Sequence, residues 1–531
     1  MAKPDELTVD IRVRPEDMDH PEKIHEQLLA QTGGKAASFI RHKIIHRSID
    51  ARKKPVVFQL RVLLSNKPEA ALGGITPRVF KEPETAKRAA IIGAGPAGLF
   101  AALKLLEMGV QPVVFERGKD VRSRRRDLAA INRDHIVNPE SNYCFGEGGA
   151  GTYSDGKLYT RSKKRGDVHS VLATLVQFGA HPDILVDAHP HIGTNKLPGI
   201  ITSMRETIIE HGGEVRFGAK LTGLVIEAGN IRGLEINQSE SHRFDHVILA
   251  TGHSARDIFR LLHNEGITIE AKPFALGVRI EHPQEVIDSM QYRCSTRPET
   301  LPPASYAWTA QHNGRGIYSF CMCPGGIIAP CATAQEEVVT NGWSPSKRNN
   351  PFANSGVVVS ILPHDWQPWK DAGPLAALEY QSAVERTAWE AGGKRQSAPA
   401  QRLKDYLDRK TSAELPECSY KPGIVPYDLR QVLPASVAAA LENGLRATVR
   451  KMPPYLHRDA VMVGVESRTS SPVRIPRLPD TLQHPEVAGL YPCGEGAGYA
   501  GGIVSAAMDG ERCAMVCAEM LSGRKPVSGN K

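Results

Sequence analysis

The chain has 531 residues, a formal net charge of +8, 41% hydrophobic residues and 23% charged residues. This length exceeds one ordinary hydrophobic core and predicts two or three domains. No stretch approaches the roughly 18 apolar residues of a membrane span, and the N-terminus lacks the apolar core of a signal peptide, so we expect a cytoplasmic protein without a membrane partner.

The first part of the chain predicts a small separate domain over residues 1–80. A strand is predicted over Leu7–Val13, a helix over Pro21–Thr32, and two further strands over Phe39–Ile49 and Val56–Leu64. This β-α-β-β order is typical of a small α+β domain, and we interpret it as ferredoxin-like.

Positive charge is concentrated in this same part of the chain. Residues 1–90 hold 17 Lys and Arg against 12 Asp and Glu, and residues 35–54 hold seven basic residues against one acid, Asp50. Such a run is found at nucleic-acid footprints and on ordinary solvated faces alike. Phe39 is the one aromatic residue among these charges, which disfavours a base-stacking platform. RNA binding stays open as an alternative.

A dinucleotide fingerprint follows at Ile91–Gly98, with the sequence Ile-Ile-Gly-Ala-Gly-Pro-Ala-Gly. Gly93 permits the tight turn after a buried strand, Gly95 permits close approach of a pyrophosphate, and Gly98 permits close packing of the next helix. A second apolar strand ends at Glu116, where an acidic residue is expected to bind ribose hydroxyls. The order of these parts predicts a Rossmann-type nucleotide-binding unit.

A second glycine-rich segment, Gly494–Ile503, lies near the other end of the chain. We expect Glu495 to bind the ribityl chain of a flavin, and the helix that opens at Gly502 to direct its positive N-terminus at the flavin ring. The two segments together predict FAD, held by a discontinuous domain of residues 87–265 and 466–525. The substrate domain, residues 266–465, is inserted between its two parts.

Further cofactor contacts are expected from the basic run 122–126 and from the segment 145–157, which contains five glycines. The alternatives are an exposed helix face for the first and a plain surface loop for the second. The predicted cofactor-binding residues are Gly93, Gly95, Pro96, Ala97, Gly98, Glu116, Arg117, Arg124, Gly148, Gly149, Ala150, Gly151, Leu221, Thr251, Gly252, Gly494, Glu495, Gly502 and Ile503.

The chain resembles the two-dinucleotide-binding-fold FAD oxidoreductases, and within them a family of uncharacterised FAD-dependent dehydrogenases described as NAD(FAD)-utilising. The resemblance covers most of residues 35–520 and is carried by Ser48–Arg52, Phe145–Leu158, Phe320–Gly326, Arg468–Ile475 and Tyr491–Gly510. It implies an α/β fold, non-covalently bound FAD and two-electron hydride transfer on a small molecule. It does not supply the substrate.

Catalytic candidates come from the segments that should face the flavin. Cys323 is a candidate nucleophile or redox partner, and Arg468 and Arg474 are candidates for clamping an anionic substrate. The alternatives are a buried structural thiol and a domain crossover held by salt bridges. Cys321 should share the face of Cys323, since residues two apart in a strand point to one side, and Tyr318 and His253 are weaker candidates.

Two absences narrow the expected chemistry. The nine cysteines show no zinc-ligand spacing, so we predict no metal site. No second strand–glycine–helix fingerprint occurs, so electrons come from the substrate itself or from NAD(P)H bound transiently without its own Rossmann unit. A flavin monooxygenase using NAD(P)H and oxygen, and an RNA-linked flavoprotein, are the alternative functions.

Overall fold

The computed structural model describes residues 5–67, 75–160 and 166–524. Residues 1–4, 68–74, 161–165 and 525, which fall within the predicted domains, lie outside the described residues. The domain boundaries given above remain predictions.

The N-terminal unit is a three-stranded antiparallel sheet with one helix, in the strand order β1-β3-β2. This arrangement is the split β-α-β half of a ferredoxin-like fold; a second helix and a fourth strand are not present between residues 5 and 67. The α+β prediction is confirmed. The elements are β1 (Glu6–Val13), α1 (Pro21–Thr32), β2 (Arg41–Asp50) and β3 (Val57–Ser65).

The N-terminal unit is fastened to the next part of the chain through Arg47. Its backbone N–H donates to Val186 (2.8 Å) and its carbonyl accepts from Ala188 (2.9 Å). Its guanidinium donates to Asp183 (2.8 Å) and Asp187 (2.7 Å). One basic residue of the 35–54 run is therefore committed to holding the fold together.

The nucleotide-binding sheet has five parallel strands in the order β22-β10-β4-β5-β6. The strands are β4 (Glu84–Ile92), β5 (Val110–Glu116), β6 (Glu214–Phe217), β10 (Val247–Leu249) and β22 (Leu490–Pro492). Since β4 lies between β5 and β10, the chain reverses its direction of winding there, which is where α/β sheets bind ligands. β22 brings the far end of the chain to this sheet.

Helices and a separate small sheet surround the five strands. β6 pairs in parallel with β5, and the three strands after it form a separate antiparallel meander. The elements are α2 (Pro96–Glu107), α3 (Val121–Asp134), α4 (Val168–Gln177), α5 (Leu197–Glu210), β7 (Leu221–Glu227), β8 (Asn230–Ile236), β9 (Glu240–Arg243), α6 (Arg256–Asn264) and α11 (Ile503–Leu521).

The inserted part of the chain folds around a seven-stranded sheet in the order β13-β14-β17-β12-β20-β18-β19. All its pairs are antiparallel except β18 with β19. Its elements are β11 (Glu270–Ala271), β12 (Phe274–Pro283), α7 (Gln284–Tyr292), β13 (Thr309–His312), β14 (Arg315–Cys323), β15 (Ile327–Pro330), β16 (Thr340–Trp343), β17 (Phe352–Ile361), α8 (Ala376–Ala391), β18 (Ala398–Arg402), α9 (Leu403–Leu407), β19 (Ile424–Pro426), α10 (Ala435–Lys451), β20 (Val461–Glu466) and β21 (Val473–Arg474).

One buried group of metal-ligand types lies under α11. Cys493, Asp509 and Cys513 place their ligand atoms within 4.8 Å of one another. Both carboxylate oxygens of Asp509 accept hydrogen bonds from Arg477, and one also accepts from the N–H of Gly494. The group is thus built around an ion pair that fixes the turn before α11.

None of the helices in the described parts of the chain combines the length and the hydropathy that crossing a membrane requires.

Candidate functional site

A cleft opens where the carboxyl ends of the parallel strands meet the inserted domain; we call it the flavin cleft. Fifteen of the nineteen predicted cofactor-binding residues line it: Gly93, Gly95, Pro96, Ala97, Glu116, Arg117, Gly149, Ala150, Gly151, Leu221, Thr251, Gly252, Glu495, Gly502 and Ile503. The inserted domain supplies the facing wall, which includes Phe320, Cys321, Asn341 and Gly342. Residues from both ends of the chain therefore share one cleft.

The first glycine turn has the geometry that a pyrophosphate site needs. A Cβ on Gly98 would lie 1.9 Å from the carbonyl oxygen of Gly93, so α2 packs as close to the turn as a glycine allows. A Cβ on Gly95 would meet no atom within 4 Å, which leaves room on the cleft side. The first turn of α2 has no side-chain cap, and its free N–H groups are suited to phosphate oxygens.

Glu116 closes the end of this turn. Its carboxylate accepts hydrogen bonds from the N–H groups of Ala94 (2.9 Å), Gly118 (2.8 Å) and Gly146 (2.9 Å). A carboxylate offers about four lone-pair positions, so capacity for one ribose hydroxyl remains. Glu116 thus fixes three loops around the adenosine end and can still bind the sugar predicted for it.

The second glycine segment supplies another uncapped helix N-terminus. α11 begins after Gly502 without a side-chain cap and lines the same cleft as α2. A Cβ on Gly501 or Gly502 would meet no atom within 4 Å. Negative charge on a ligand is stabilised at such a terminus, so the cleft offers two positive helix ends to one long ligand.

Glu495 and His253 face each other in the cleft, with Nε2 of the imidazole 4.0 Å from a carboxyl oxygen. Burial raises the pKa of Glu495 to about 7, although Lys272 opposes this shift. Burial and the charge of Arg468 lower the pKa of His253 to about 4. The imidazole is therefore neutral at pH 7, whereas the carboxyl group keeps its proton to a higher pH than an ordinary glutamic acid does.

Glu495→Gln is expected to flatten the pH dependence of apoprotein stability. A carboxyl group whose pKa rises on folding stabilises the folded state less and less as the pH increases from the pKa of the unfolded state to that of the folded state. For Glu495 this range runs from about 4.5 to about 7. The stability of Glu495→Gln relative to wild type should therefore increase between pH 5 and pH 8. Urea denaturation at several pH values measures this difference.

The exposed Glu336→Gln serves as the matched control and should follow wild type at every pH. Glu281, whose pKa burial also raises to about 7, contributes the same slope to all three proteins and cancels. A constant difference between Glu495→Gln and wild type would contradict the pKa assigned to this carboxyl group.

Four predicted cofactor contacts are not among the residues that line the cleft: Gly98, Arg124, Gly148 and Gly494. Gly98 has the packing role predicted for it. Arg124 is fully buried and donates to the carbonyl groups of Asn142 (2.7 Å) and Glu147 (3.0 Å). It therefore shapes the 142–147 loop and does not reach a ligand. The glycines likewise act by letting backbone segments pack closely.

Arg117 lines the cleft, but part of its hydrogen-bonding capacity is used by other residues of the protein. Its guanidinium donates to Glu140 (2.7 Å) and Asp257 (2.8 Å) and lies over the ring of Phe145, 4.3 Å from its centroid. The plane that it forms with Phe145 borders the adenosine end of the cleft.

The two arginines predicted to clamp a substrate do not form a clamp. Arg468 lines the flavin cleft, but it donates to Glu385 (2.9 Å), Glu337 and Thr333 (2.8 Å), so its guanidinium is held in a buried network at the domain crossover. Arg474 lies outside the cleft, exposed, with its guanidinium over the ring of Tyr499. The salt-bridge alternative describes Arg468 correctly.

Cys321 and Cys323 do not share one face, in contrast to the prediction. A β-bulge interrupts the pairing of β14 between Phe320 and Cys323, and Cys321 has left-handed backbone (φ 44°). The alternation of the strand is therefore lost. Cys321 is exposed on the flavin cleft, whereas Cys323, the residue predicted to be catalytic, is buried behind it. The surrounding cleft walls disfavour the ionised thiol and raise the pKa of Cys321 to about 11, so this thiol is protonated at pH 7.

Lys157 is a cleft residue that the sequence did not single out. Its ammonium group lies 3.6 Å from the thiol of Cys323 and 3.6 Å from the carboxylate of Asp155. Burial would lower the pKa of Lys157, but Cys323 and Asp155 outweigh it and hold the pKa above its ordinary value. Lys157 is thus a cation at the boundary between the cleft and the inserted domain. Its place at the end of the glycine-rich segment 145–157 was the available signal.

The residues of the cleft fit FAD. Two uncapped helix ends, a ribose-binding carboxylate with remaining capacity, and open space beside Gly95 and Gly501 match the pyrophosphate, the adenosine and the flavin end of that ligand. Together with the parallel sheet, these features define an FAD-binding protein of the Rossmann type.

Comparison with known proteins agrees with this class. Residues 273–469 match a family described as FAD-dependent protein, C-terminal domain-like, and residues 6–65 match a domain of unknown function, DUF8436. An uncharacterized protein of Clostridium beijerinckii is 40% identical over 491 residues, which cover 89% of this chain and 91% of the relative. The chain therefore belongs to the same family as that Clostridium protein, and its residues 273–469 match a family of FAD-dependent proteins.

The solved structures that match the chain include a brominase and a reductase-like protein. Flavin-dependent brominase Bmp2 is 13% identical with a TM-score of 0.35, covering 82% of this chain and 80% of the brominase. A geranylgeranyl bacteriochlorophyll reductase-like protein from Thermoplasma acidophilum is 13% identical with a TM-score of 0.35, covering 82% and 79%. At this level of similarity, neither structure bears on the substrate of the present chain.

Proposed function

We propose that the protein is a dehydrogenase that uses non-covalently bound FAD to take a hydride from a small molecule. The observation that carries this proposal is the composition of the flavin cleft. One wall binds a dinucleotide, and the other belongs to the inserted domain and presents the thiol of Cys321. The ammonium group of Lys157, from the FAD-binding part of the chain, lies in the same cleft. FAD, when bound, supplies two-electron acceptance.

The protein residues contribute binding, orientation and charge. The N-terminus of α11 would stabilise negative charge at the flavin end of the cleft. Lys157 holds a proton and a positive charge beside Cys321, at the place where a substrate meets both walls. Its partner Asp155 keeps the ammonium group in position. A cation so placed can stabilise an anionic form of a substrate from which hydride leaves.

The proposed substrate-side role falls on Lys157 and Cys321, in place of Cys323 and Arg468. Cys323 acts through Lys157, since its buried thiol contacts the ammonium group and does not line the cleft. Because Cys321 is a protonated thiol at pH 7, it can donate a hydrogen bond but is not an activated nucleophile. No observation favours the monooxygenase or the RNA-linked alternative over the dehydrogenase.

The test is anaerobic reduction of the flavin. The purified protein should contain FAD, and a screen of metabolites without oxygen should find a compound that bleaches its absorbance. With that compound, Lys157→Met should retain FAD and reduce the flavin on the order of 100-fold more slowly, the lower range of effects for positioned proton-transfer groups. Stopped-flow absorbance measures the rate.

Lys196→Met, at the exposed start of α5, is the control and should reduce at the wild-type rate. An equal rate for Lys157→Met would reject the role of Lys157. A protein that does not bind FAD would reject the proposed function altogether, and substrate-stimulated NADPH and oxygen consumption would replace it with the monooxygenase.

A further inference from the structure

A second cleft lies between the N-terminal unit and the inserted domain. It is larger than most small-molecule binding pockets. Its volume is about 1360 Å³; we call it the basic cleft. Its walls come from residues 15–19, 47–58, 187–191, 289–305, 346–349 and 451–454. The segment Ser48–Arg52, which carries part of the family resemblance, contributes four lining residues. None of the chemistry assigned above to the flavin cleft uses this segment.

The lining of the basic cleft has an excess of positive charge. It contains three acidic residues, Asp19, Asp187 and Glu299, against seven basic residues, Arg47, Arg52, Arg293, Arg297, Lys347, Arg348 and Lys451. Three of the basic residues, Arg293, Lys347 and Lys451, are exposed and form no ion pair within the described parts of the chain. A concave surface with uncompensated cations concentrates anions.

The loop that carries Lys347 and Arg348 is packed closely against neighbouring segments. Asn195 donates to the hydroxyl of Ser346 (3.1 Å) and accepts from its N–H (2.8 Å). A Cβ on Gly193 would lie 2.2 Å from the nitrogen of Ser346, and one on Gly325 would lie 1.7 Å from the carbonyl oxygen of Arg348. These contacts position Lys347 and Arg348 without a ligand, which lowers the ordering cost of binding there.

The basic cleft and the flavin cleft meet at an ion pair. Arg348 lines the basic cleft and its guanidinium lies 3.3 Å from the carboxylate of Asp155, which lines the flavin cleft. Beside this pair, Lys157 and His191 form a backbone bridge, with Lys157 in the flavin cleft and His191 in the basic cleft. The nitrogen Nε of Arg348 is buried and has no hydrogen-bond partner.

We propose that the basic cleft binds the phosphate-bearing end of a small molecule whose other end reaches the flavin cleft beside Arg348 and Asp155. This inference rests on the proposed function, since it assigns a chemical class to the reactant. The aromatic residues of the lining, Phe58 and Tyr292, are buried, so the cleft lacks the stacking surface that single-stranded RNA prefers. The phosphate belongs either to the hydride-donating substrate or to a nicotinamide dinucleotide.

The experiment measures binding of inorganic pyrophosphate to the FAD-loaded protein by titration calorimetry at low ionic strength. We expect saturable binding at one site. The double variant Lys347→Gln/Lys451→Gln should weaken it about tenfold or more, as the loss of charge-assisted hydrogen bonds would. The control Lys404→Gln/Lys421→Gln removes two exposed lysines outside the cleft and should bind as wild type does. FAD content should be the same in all three proteins.

Two further probes decide the source of the phosphate and the class of ligand. If NADPH competes with pyrophosphate, the phosphate belongs to the dinucleotide. If NADPH does not compete, the phosphate belongs to the substrate. Both results support the site. Absence of pyrophosphate binding, or equal weakening in both lysine pairs, would overturn it. Much tighter and steeply salt-dependent binding of a short single-stranded RNA would also overturn it. Loss of FAD, by contrast, would reject the proposed function and is detected separately.

Discussion

Gly98→Ala is expected to weaken FAD binding and to destabilise the apoprotein together. The added Cβ would lie 1.9 Å from the carbonyl oxygen of Gly93 and 3.2 Å from the side chain of Ile91, so α2 must move away from β4. Overpacking of this kind costs about 1–3 kcal/mol. The displaced helix also carries the N–H groups proposed to bind the pyrophosphate, so FAD affinity should fall roughly 5- to 150-fold. Quenching of flavin fluorescence and urea denaturation measure the two effects.

Two other glycines separate the causes. A methyl group on Gly95 meets no protein atom within 4 Å, so Gly95→Ala should leave the apoprotein as stable as wild type while weakening FAD binding by occupying cleft space. Gly199, in the first turn of α5, also has free space around it, and Gly199→Ala should affect neither property adversely. Wild-type FAD affinity in Gly98→Ala would show that α2 is not the pyrophosphate helix.

The fold class was predictable because its signals are local. The glycine spacing at 93–98 predicts a tight turn, open space for a phosphate and close helix packing within six residues. The structure has all three. The order of strands and helices in the N-terminal unit likewise follows from periodicity. The discontinuous sheet was predictable from Gly494–Ile503, since a second glycine-rich segment that opens a helix has no other evident partner in the chain.

The errors in the site have a common origin in tertiary structure. Period-two alternation placed Cys321 and Cys323 together, but a bulge in β14 separates them. The charge of Arg124 and Arg468 suggested ligands, whereas carbonyl and carboxylate groups distant in sequence occupy both guanidiniums. Spacing along the chain does not reveal which polar groups will be buried together. For the same reason, the basic cleft could not be predicted from the sequence, since its cations come from segments more than 400 residues apart.

Removing Glu385 should destabilise the protein more than any surface change. Its carboxylate, fully buried on α8, accepts hydrogen bonds from Arg256 (2.5 Å), Arg468 (2.9 Å) and Ser467 (2.5 Å). Glu385→Ala leaves two buried guanidiniums with Glu337 as their remaining carboxylate. Breaking a buried ion pair by deleting one partner typically costs about 3–5 kcal/mol, which the free energy of unfolding in urea should show.

Glu379 on the same helix provides the comparison, because its partner Arg260 is largely exposed. Glu379→Ala should cost at most about 1 kcal/mol.

A pH series adds a second criterion. Burial opposes ionisation of Glu385, but the two arginines outweigh it and lower its pKa to about 2. Its stabilising effect is then complete above the ordinary value near 4.5 and is lost as pH falls towards 2. The difference in free energy of unfolding between wild type and Glu385→Gln should therefore decrease as the pH falls over that range. A gap that stays constant would mean that packing around Glu385, and not its charge, holds the two halves of the FAD domain to the inserted domain.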